Sequence, residues 1–211
     1  FGVTWPVSVD LAPTSTANTS LPLAPHSDLP TRETPPGHQL LHCLINTCQG
    51  GLSTLADGYA VADHFREHEP EHYDALATLR WTFFNRSPDH DHRWSGPIID
   101  EGAPGSPLTL RAFHPVRGFP DMAATDVPRA YAALRRFSAV AGSTEFELRS
   151  AFRPGDLVAF DNRRILHGRT AIDMMGGTRV LHGAYIDHDE IHSRLRVLTR
   201  RTASAPMSTP Q

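Results

Sequence analysis

The spacing of apolar and polar positions along this chain changes period several times, and each change marks an element. From Asp57 the pattern turns helical, first in DGYAVADHFREH (57–68) and then in EPEHYDALATL (69–79), with Pro70 near the start of the second segment. A further helix fits DVPRAYAALRRFSAVAG (126–142). There Asp126 can cap the first turn, Pro128 suits it, and Tyr131, Leu134, Phe137 and Val140 share one stripe, a core face. Other stretches read as strands. HQLLHCLINT (38–47) looks like a buried strand followed by a Gly50-Gly51 turn, and WTFFN (81–85) and LTLRAFH (108–114) are strands separated by a Gly/Pro-rich stretch. DLVAFD (156–161) and TRVLHGAYID (178–187) alternate with period two and are divided by a Gly176-Gly177 turn. Residues 6–37, rich in Pro, Ser and Thr, read as long loops broken by short strands. Strands dominate the second half and helices sit as insertions, so the expected fold is mainly β (α+β), a jelly roll with helical insertions. One domain is expected over 1–202, with 203–211 (ASAPMSTPQ) as a disordered tail.

Composition narrows the function classes. The 20 Lys+Arg are outnumbered by 23 Asp+Glu, for a formal net charge of −3, which gives no footprint for nucleic acid. No apolar run approaches the roughly 18 residues of a membrane span, and no signal-peptide pattern is visible. Cys43 and Cys48, the 2 cysteines, are too few for a disulfide framework or a zinc ribbon, and read as thiols in a reducing, cytoplasmic setting. The 13 histidines exceed what structure alone requires.

Chemistry first shows in LPLAPHSDLP (21–30), where His26 and Asp28 stand two apart in apolar, proline-rich company. A surface turn or a helix cap would account for them. In extended backbone, however, residues two apart project onto one face, so an imidazole and a carboxylate could share one ion. One more histidine would complete the two-His, one-carboxylate set of non-heme Fe(II) oxygenases. His167, in GDLVAFDNRRILHGRTA, follows an apolar strand and is the candidate. Arg179 opens the next strand after the glycine turn. One hairpin away, its guanidinium can meet a carboxylate bidentately, which suits an acidic co-substrate; a surface ion pair is the plainer use.

The segments TWPV, HSDLPTRETPPGHQLLHCL, GGLSTLADGY, FRPGDLVAFDNRRILHGR and TRVLHGAYIDHDEIHSRLRVL carry a family likeness from Phe1 to about Arg201. The chain resembles the γ-butyrobetaine dioxygenase and trimethyllysine dioxygenase branch of the taurine-dioxygenase-like 2-oxoglutarate oxygenases. The resemblance implies a double-stranded β-helix with Fe(II) held by His26, Asp28 and His167. It further implies Arg179 on the far carboxylate of 2-oxoglutarate, with the Ser53 hydroxyl assisting and Leu41 lining the same pocket. O2 would be the oxidant, 2-oxoglutarate would leave as succinate and CO2, and ascorbate is a candidate reductant. A small zwitterionic substrate is implied, γ-butyrobetaine or a related trimethylammonium compound, held by aromatic faces. Phe1, Trp5 and Tyr185 align with cage or pocket positions; Trp5 could equally be a plain core residue. Asn18 and Leu29 stand where that family has pocket tyrosines, and Ser15 where it has an asparagine. Family members carry an N-terminal domain, so the chain is read as lacking the first part of a longer protein; a homodimer is left open.

PDHDHRW (88–94) places His90 and His92 two apart, but in a polar stretch read as a loop near the site mouth. DHDEIH (187–192) reads as a strand end leading into a helix. A metal-binding, cupin-like jelly roll without oxygenase activity would have no need of Arg179.

Overall fold

The computed structural model describes residues 3–9, 16–173 and 177–203. In chain order the first strands are β1 (Trp5–Ser8), β2 (Leu23–His26), β3 (His38–Asn46), β4 (Gln49–Gly50) and β5 (Ser53–Asp57). Helices α1 (Gly58–His68) and α2 (Pro70–Thr78) follow, then β6 (Arg80–Arg86), β7 (Asp91–Gly96), β8 (Ile99–Asp100), β9 (Thr109–Leu110) and β10 (Arg117–Asp121). Helix α3 (Val127–Ala141) leads to β11 (Glu147–Ser150), β12 (Leu157–Asp161), β13 (Ile165–Arg169), β14 (Ile172–Asp173), β15 (Arg179–Ile186) and helix α4 (His188–Ala203).

Two antiparallel four-stranded sheets, β1-β15-β3-β12 and β11-β5-β13-β2, carry the site. A three-stranded sheet, β10-β6-β7, stands beside them. The main apolar core does not lie between the two larger sheets. It joins α1 (Val61, Ala62, Phe65), α2 (Leu76) and α3 (Ala133, Leu134, Phe137) to Trp81, Phe83, Leu110 and the strand residues Ala56 and Leu166. Each large side chain buried there contributes about 1.5–3 kcal/mol. Strand alternation then divides the labour: on β13, Leu166 faces this core while His167 and Arg169 turn to the other side. The helices are thus half of the packing, and the fold is mixed α+β rather than strands with decoration.

The helices obey their local signals. Asp57 caps α1, its side chain accepting from Tyr59 N–H at 3.0 Å, and Pro70 opens α2. On α3 the stripe of Leu134, Phe137 and Val140 is buried, with Tyr131 at its flank edge-on to Trp81. Asp126 departs from expectation. Its backbone is already helical and its side chain makes no capping bond, so Pro128 alone marks this start.

Several strand readings are corrected. LTLRAFH forms only the two-residue β9, because Arg111 and Ala112 are drawn into contacts with the 27–33 segment and leave the ladder. PDHDHRW is a loop only over 88–90: Asp91–Gly96 pairs antiparallel with β6, its polar faces masking the strand period. Strand β3 is half-buried, and an irregularity in its pairing with β15 leaves Leu44 and Ile45 exposed. DLVAFD and TRVLHGAYID are not neighbours across a turn; β12 and β15 flank β3 on opposite sides. The Gly176 half of that turn, and the tail beyond Ala203, lie outside the described residues.

Candidate active site

His26 ends β2 and pairs with His167 on β13, so the antiparallel register sets the two imidazoles side by side, ring centres 4.2 Å apart. The chain must then turn to bring Asp28 to them. Buried Ser27 fastens this exit, its hydroxyl donating to Leu110 C=O at 2.8 Å and its N–H to Ala112 C=O at 2.9 Å. Leu29 takes a left-handed backbone, φ +54°. Such a conformation costs a side-chain-bearing residue about 1–3 kcal/mol and persists only where its surroundings fix it. Asn162, fully buried, does the fixing. Its Oδ1 accepts from Asp28 N–H at 2.7 Å while its Nδ2 donates to Asp28 C=O and Pro36 C=O.

The result is a closed triangle. His26 Nε2 lies 3.4 Å from Asp28 Oδ1 and His167 Nε2 3.7 Å from Asp28 Oδ2. One ligand atom from each of the three falls within 4.8 Å of the others. His26 Nδ1 is 2.9 Å from Ala24 C=O, and a proton donated there leaves the Nε2 lone pair facing the triangle. Burial alone would raise the Asp28 carboxyl, but His167, His26 and the Tyr185 hydroxyl outweigh it and hold the group well below the usual carboxylate range. Burial, reinforced by His26 and only partly offset by Asp28, pushes His167 down to about 3. At neutral pH His167 is therefore a neutral imidazole and Asp28 a carboxylate, the protonation a divalent metal requires of these two groups.

A cavity of about 500 Å³ opens on this triangle, lined from both four-stranded sheets. It takes in every described residue proposed above for cofactor or substrate: Arg179, Ser53, Leu41, Trp5, Tyr185, Asn18 and Leu29. Phe1 and Ser15 lie outside the described residues. Alternation on β15 points Arg179, Leu181 and Tyr185 inward. Arg179 is buried and donates from Nη2 to Ser53 Oγ at 3.2 Å, while its Nε has no hydrogen-bond partner among the described residues. Gly51 makes room for it: a Cβ there would stand 3.2 Å from Arg179 Cδ, at φ +62°. The hairpin expected between His167 and Arg179 is absent, because β13 and β15 belong to different sheets. They converge across the cavity.

Tyr185 has a second use that its place in an aromatic pocket did not suggest. Its ring packs on Trp5 at 4.4 Å and 41°, and its hydroxyl donates to Asp28 Oδ2 at 2.6 Å. Trp5 in turn lies over Gly183, where a Cβ would stand 2.6 Å from the indole. His90 bonds Ser87, and neither it nor His92 belongs to a potential metal group among the described residues.

Sequence reasoning missed the bracing. Buried Arg169 donates to the carbonyls of Ala17 and Thr19 and so holds the turn that carries Asn18. Standing two beyond His167 on a strand, it shares that residue's face, and this spacing was the available signal. Buried Arg111 donates to Arg32 C=O and Glu33 C=O, each at 2.8 Å, pinning the loop after Asp28. Phe113 stacks on His26 at 4.5 Å, and buried Gln39 lines the cavity with an unpartnered Oε1.

The family model described as taurine catabolism dioxygenase TauD, TfdA family matches residues 1–185. Over 200 residues the chain is 38% identical to the gamma-butyrobetaine dioxygenase of Pseudomonas sp. (strain AK-1), covering 95% of this chain and 52% of that protein. Its likeness to the gamma-butyrobetaine dioxygenase of Homo sapiens is 32% over 208 residues, covering 95% and 53%. The chain therefore spans about half the length of these relatives. A structure of asparagine oxygenase in complex with Fe(II), 3-hydroxyasparagine and succinate superposes with a TM-score of 0.70 at 21% identity, over 92% of this chain and 59% of that one. This likeness speaks to the fold.

Proposed function

We propose a function from one premise: the chain belongs to the taurine catabolism dioxygenase TauD, TfdA family. The reading is an Fe(II)- and 2-oxoglutarate-dependent dioxygenase that hydroxylates a small zwitterionic substrate, γ-butyrobetaine or a related trimethylammonium compound. The two sheets that share the cavity are then the halves of a double-stranded β-helix. One observation carries the proposal above the rest: the His26–Asp28–His167 triangle opens into the same cavity as a buried arginine with an orphaned Nε.

The donor set fits the metal. His26, Asp28 and His167 would hold the ion through two imidazole nitrogens and one carboxylate, the donor set of non-heme Fe(II) oxygenases. When bound, the iron would supply the O2 and redox chemistry that no side chain can perform. The residues of this chain do the rest. Arg179, with Ser53, is placed to bind the distal carboxylate of 2-oxoglutarate through charge-assisted bonds. His26, through Ala24 C=O, and Asp28, through Tyr185 and Asn162, are oriented before any ligand arrives. Leu41, Leu181 and Phe113 make the walls apolar and exclude water from the reacting space.

For the substrate, a trimethylammonium group has no N–H to donate and is held by ring faces. Trp5 and Tyr185 offer two such faces in contact with each other. Asn18 and Leu29 add no rings, which favours a second reading: the same chemistry on another small acid. A succinate-release assay separates the two. With 2-oxoglutarate, Fe(II) and ascorbate, γ-butyrobetaine should drive turnover and its neutral tert-butyl analogue should bind appreciably worse. Equal coupling by both would assign the pocket to a different acid; no succinate with any small acid would leave the metal-binding, cupin-like alternative.

A further inference from the structure

A second group of metal-binding side chains stands outside this cavity. One ligand atom each from His38, Asp161 and His188 lies within 4.8 Å of the others. None of the three lines the cavity around Asp28. We propose that His38, Asp161 and His188 form a second, structural Zn(II) site that fastens the start of helix α4 to the end of the β15-β3-β12 sheet.

The topology explains the convergence. His38 opens β3 and stands opposite Asp161, the last residue of β12, and opposite Ile186, the last residue of β15. Directly opposed residues on antiparallel strands keep their Cβ atoms about 4.5–5.5 Å apart on one face. Two residues past Ile186 the chain enters α4, and its first residue is His188. Gly37 lets that helix start come close: a Cβ at Gly37 would stand 2.4 Å from His188 N.

The free valences match a metal. His38 Nδ1 and His188 Nδ1 are both buried without a hydrogen-bond partner. Buried polar atoms are nearly always satisfied, so two orphaned imidazole nitrogens beside one carboxylate need an account. The far nitrogen of His188 is occupied, its Nε2 lying 3.1 Å from His192 Nε2. With His188 as the donor there, its Nδ1 keeps a lone pair for a metal, the role outer hydrogen bonds play for metal-bound histidines. Asp161 uses Oδ1 to accept from Arg163 N–H at 2.8 Å and keeps Oδ2 for a ligand. Two nitrogens and one oxygen, partly open to solvent, suit a tetrahedral Zn(II) completed by water. The positive charge of Arg163 also bears on His188.

The site has something to hold. Among the described residues of helix α4 none is fully buried, and Leu195 and Leu198 on it are exposed. Apolar packing therefore fixes this helix only weakly.

The test counts zinc. The full chain is stripped with chelator, dialysed against Zn(II), and its metal measured by mass spectrometry. About two equivalents are expected in the unsubstituted chain, and about one in Asp161→Asn, His188→Gln or His26→Gln. One equivalent in the unsubstituted chain that His26→Gln removes would overturn the proposal, as would two equivalents surviving in His188→Gln. Should the Asp161 or His188 variants misfold, proteolysis of the His26→Gln chain decides. Zn(II) should slow cleavage within α4 several-fold, and an unchanged rate refutes the site. Because neither readout involves turnover, their failure leaves the oxygenase reading standing.

Discussion

Replacing Tyr185 with Phe removes one oxygen and keeps the ring against Trp5, so it separates the two duties proposed for this residue. The hydroxyl donates to Asp28 Oδ2 at 2.6 Å, and burial together with the Asp28 charge pushes the phenol's pKa upward, so it remains a donor. A hydrogen bond to a charged group is worth about 1.5–3 kcal/mol net. At 1.4 kcal/mol per decade this is roughly 10–150-fold in an equilibrium constant. Removing the partner that orients a metal-binding carboxylate has a similar effect, typically about 10–100-fold in metal affinity. Tyr185→Phe should therefore weaken Fe(II) binding about 10–100-fold, while a saturated site keeps its affinity for a trimethylammonium substrate. Anaerobic Fe(II) titration at saturating 2-oxoglutarate, followed through the metal-to-ligand absorbance of the chelated co-substrate, reads this site and not the one at His38. An unchanged titration, with a raised KM for substrate instead, would refute the reasoning and assign the hydroxyl to substrate.

Four further outcomes are expected. His26→Ala or His167→Ala should abolish the iron–2-oxoglutarate absorbance, whereas His90→Ala should leave it nearly intact; equal retention in all three would dismiss the triangle as the metal site. Arg179→Ala should weaken 2-oxoglutarate binding by about 2–5 kcal/mol, on the order of tens to thousands-fold, measured in the same anaerobic titration. Trp5→Leu should remove most of the preference for a charged over a neutral substrate analogue, a difference worth roughly 0.5–2 kcal/mol, and a preserved preference would place the cation elsewhere. Finally, the metal-free chain should lose stability in acid. His167 is lowered from 6.5 to about 3 and Asp28 is lowered from 3.8, so the unfolded chain binds both protons more readily than the folded one. Stability is then full above about pH 6.5 and falls as pH drops, by up to about 1.4 kcal/mol per unit for each proton. Melting temperatures in chelator that stay flat from neutral pH to pH 4 would contradict this.

What the sequence determined by itself were the features whose physics is local. Helices α1 and α2, and the buried stripe of α3, follow from turn-to-turn spacing, from Asp57 as a cap, and from Pro70 and Pro128 in first turns. His26 and Asp28 were legible as a pair from their spacing, although the chain leaves β2 at His26 and turns to bring Asp28 in. His167 and Arg179 were legible from their places beside apolar strands before the family's motifs joined all four. Where neighbours in space were distant in sequence, the pattern failed. The apolar run around Arg111 is drawn out of a ladder because the 30–33 carbonyls need its donors. The strand Asp91–Gly96 carries polar residues because no apolar face is asked of it. Tertiary structure alone decided that His167 and Arg179 approach from different sheets, that Tyr185 bonds Asp28, and that His38 and Asp161 meet His188. It also decided where the core lies, beside the cavity with α1–α3 and not between the sheets. Hydrophobic periodicity encodes which face of a strand is apolar or polar. Which distant polar groups share a buried space depends on sheet order and register, and these are set only when the whole chain packs.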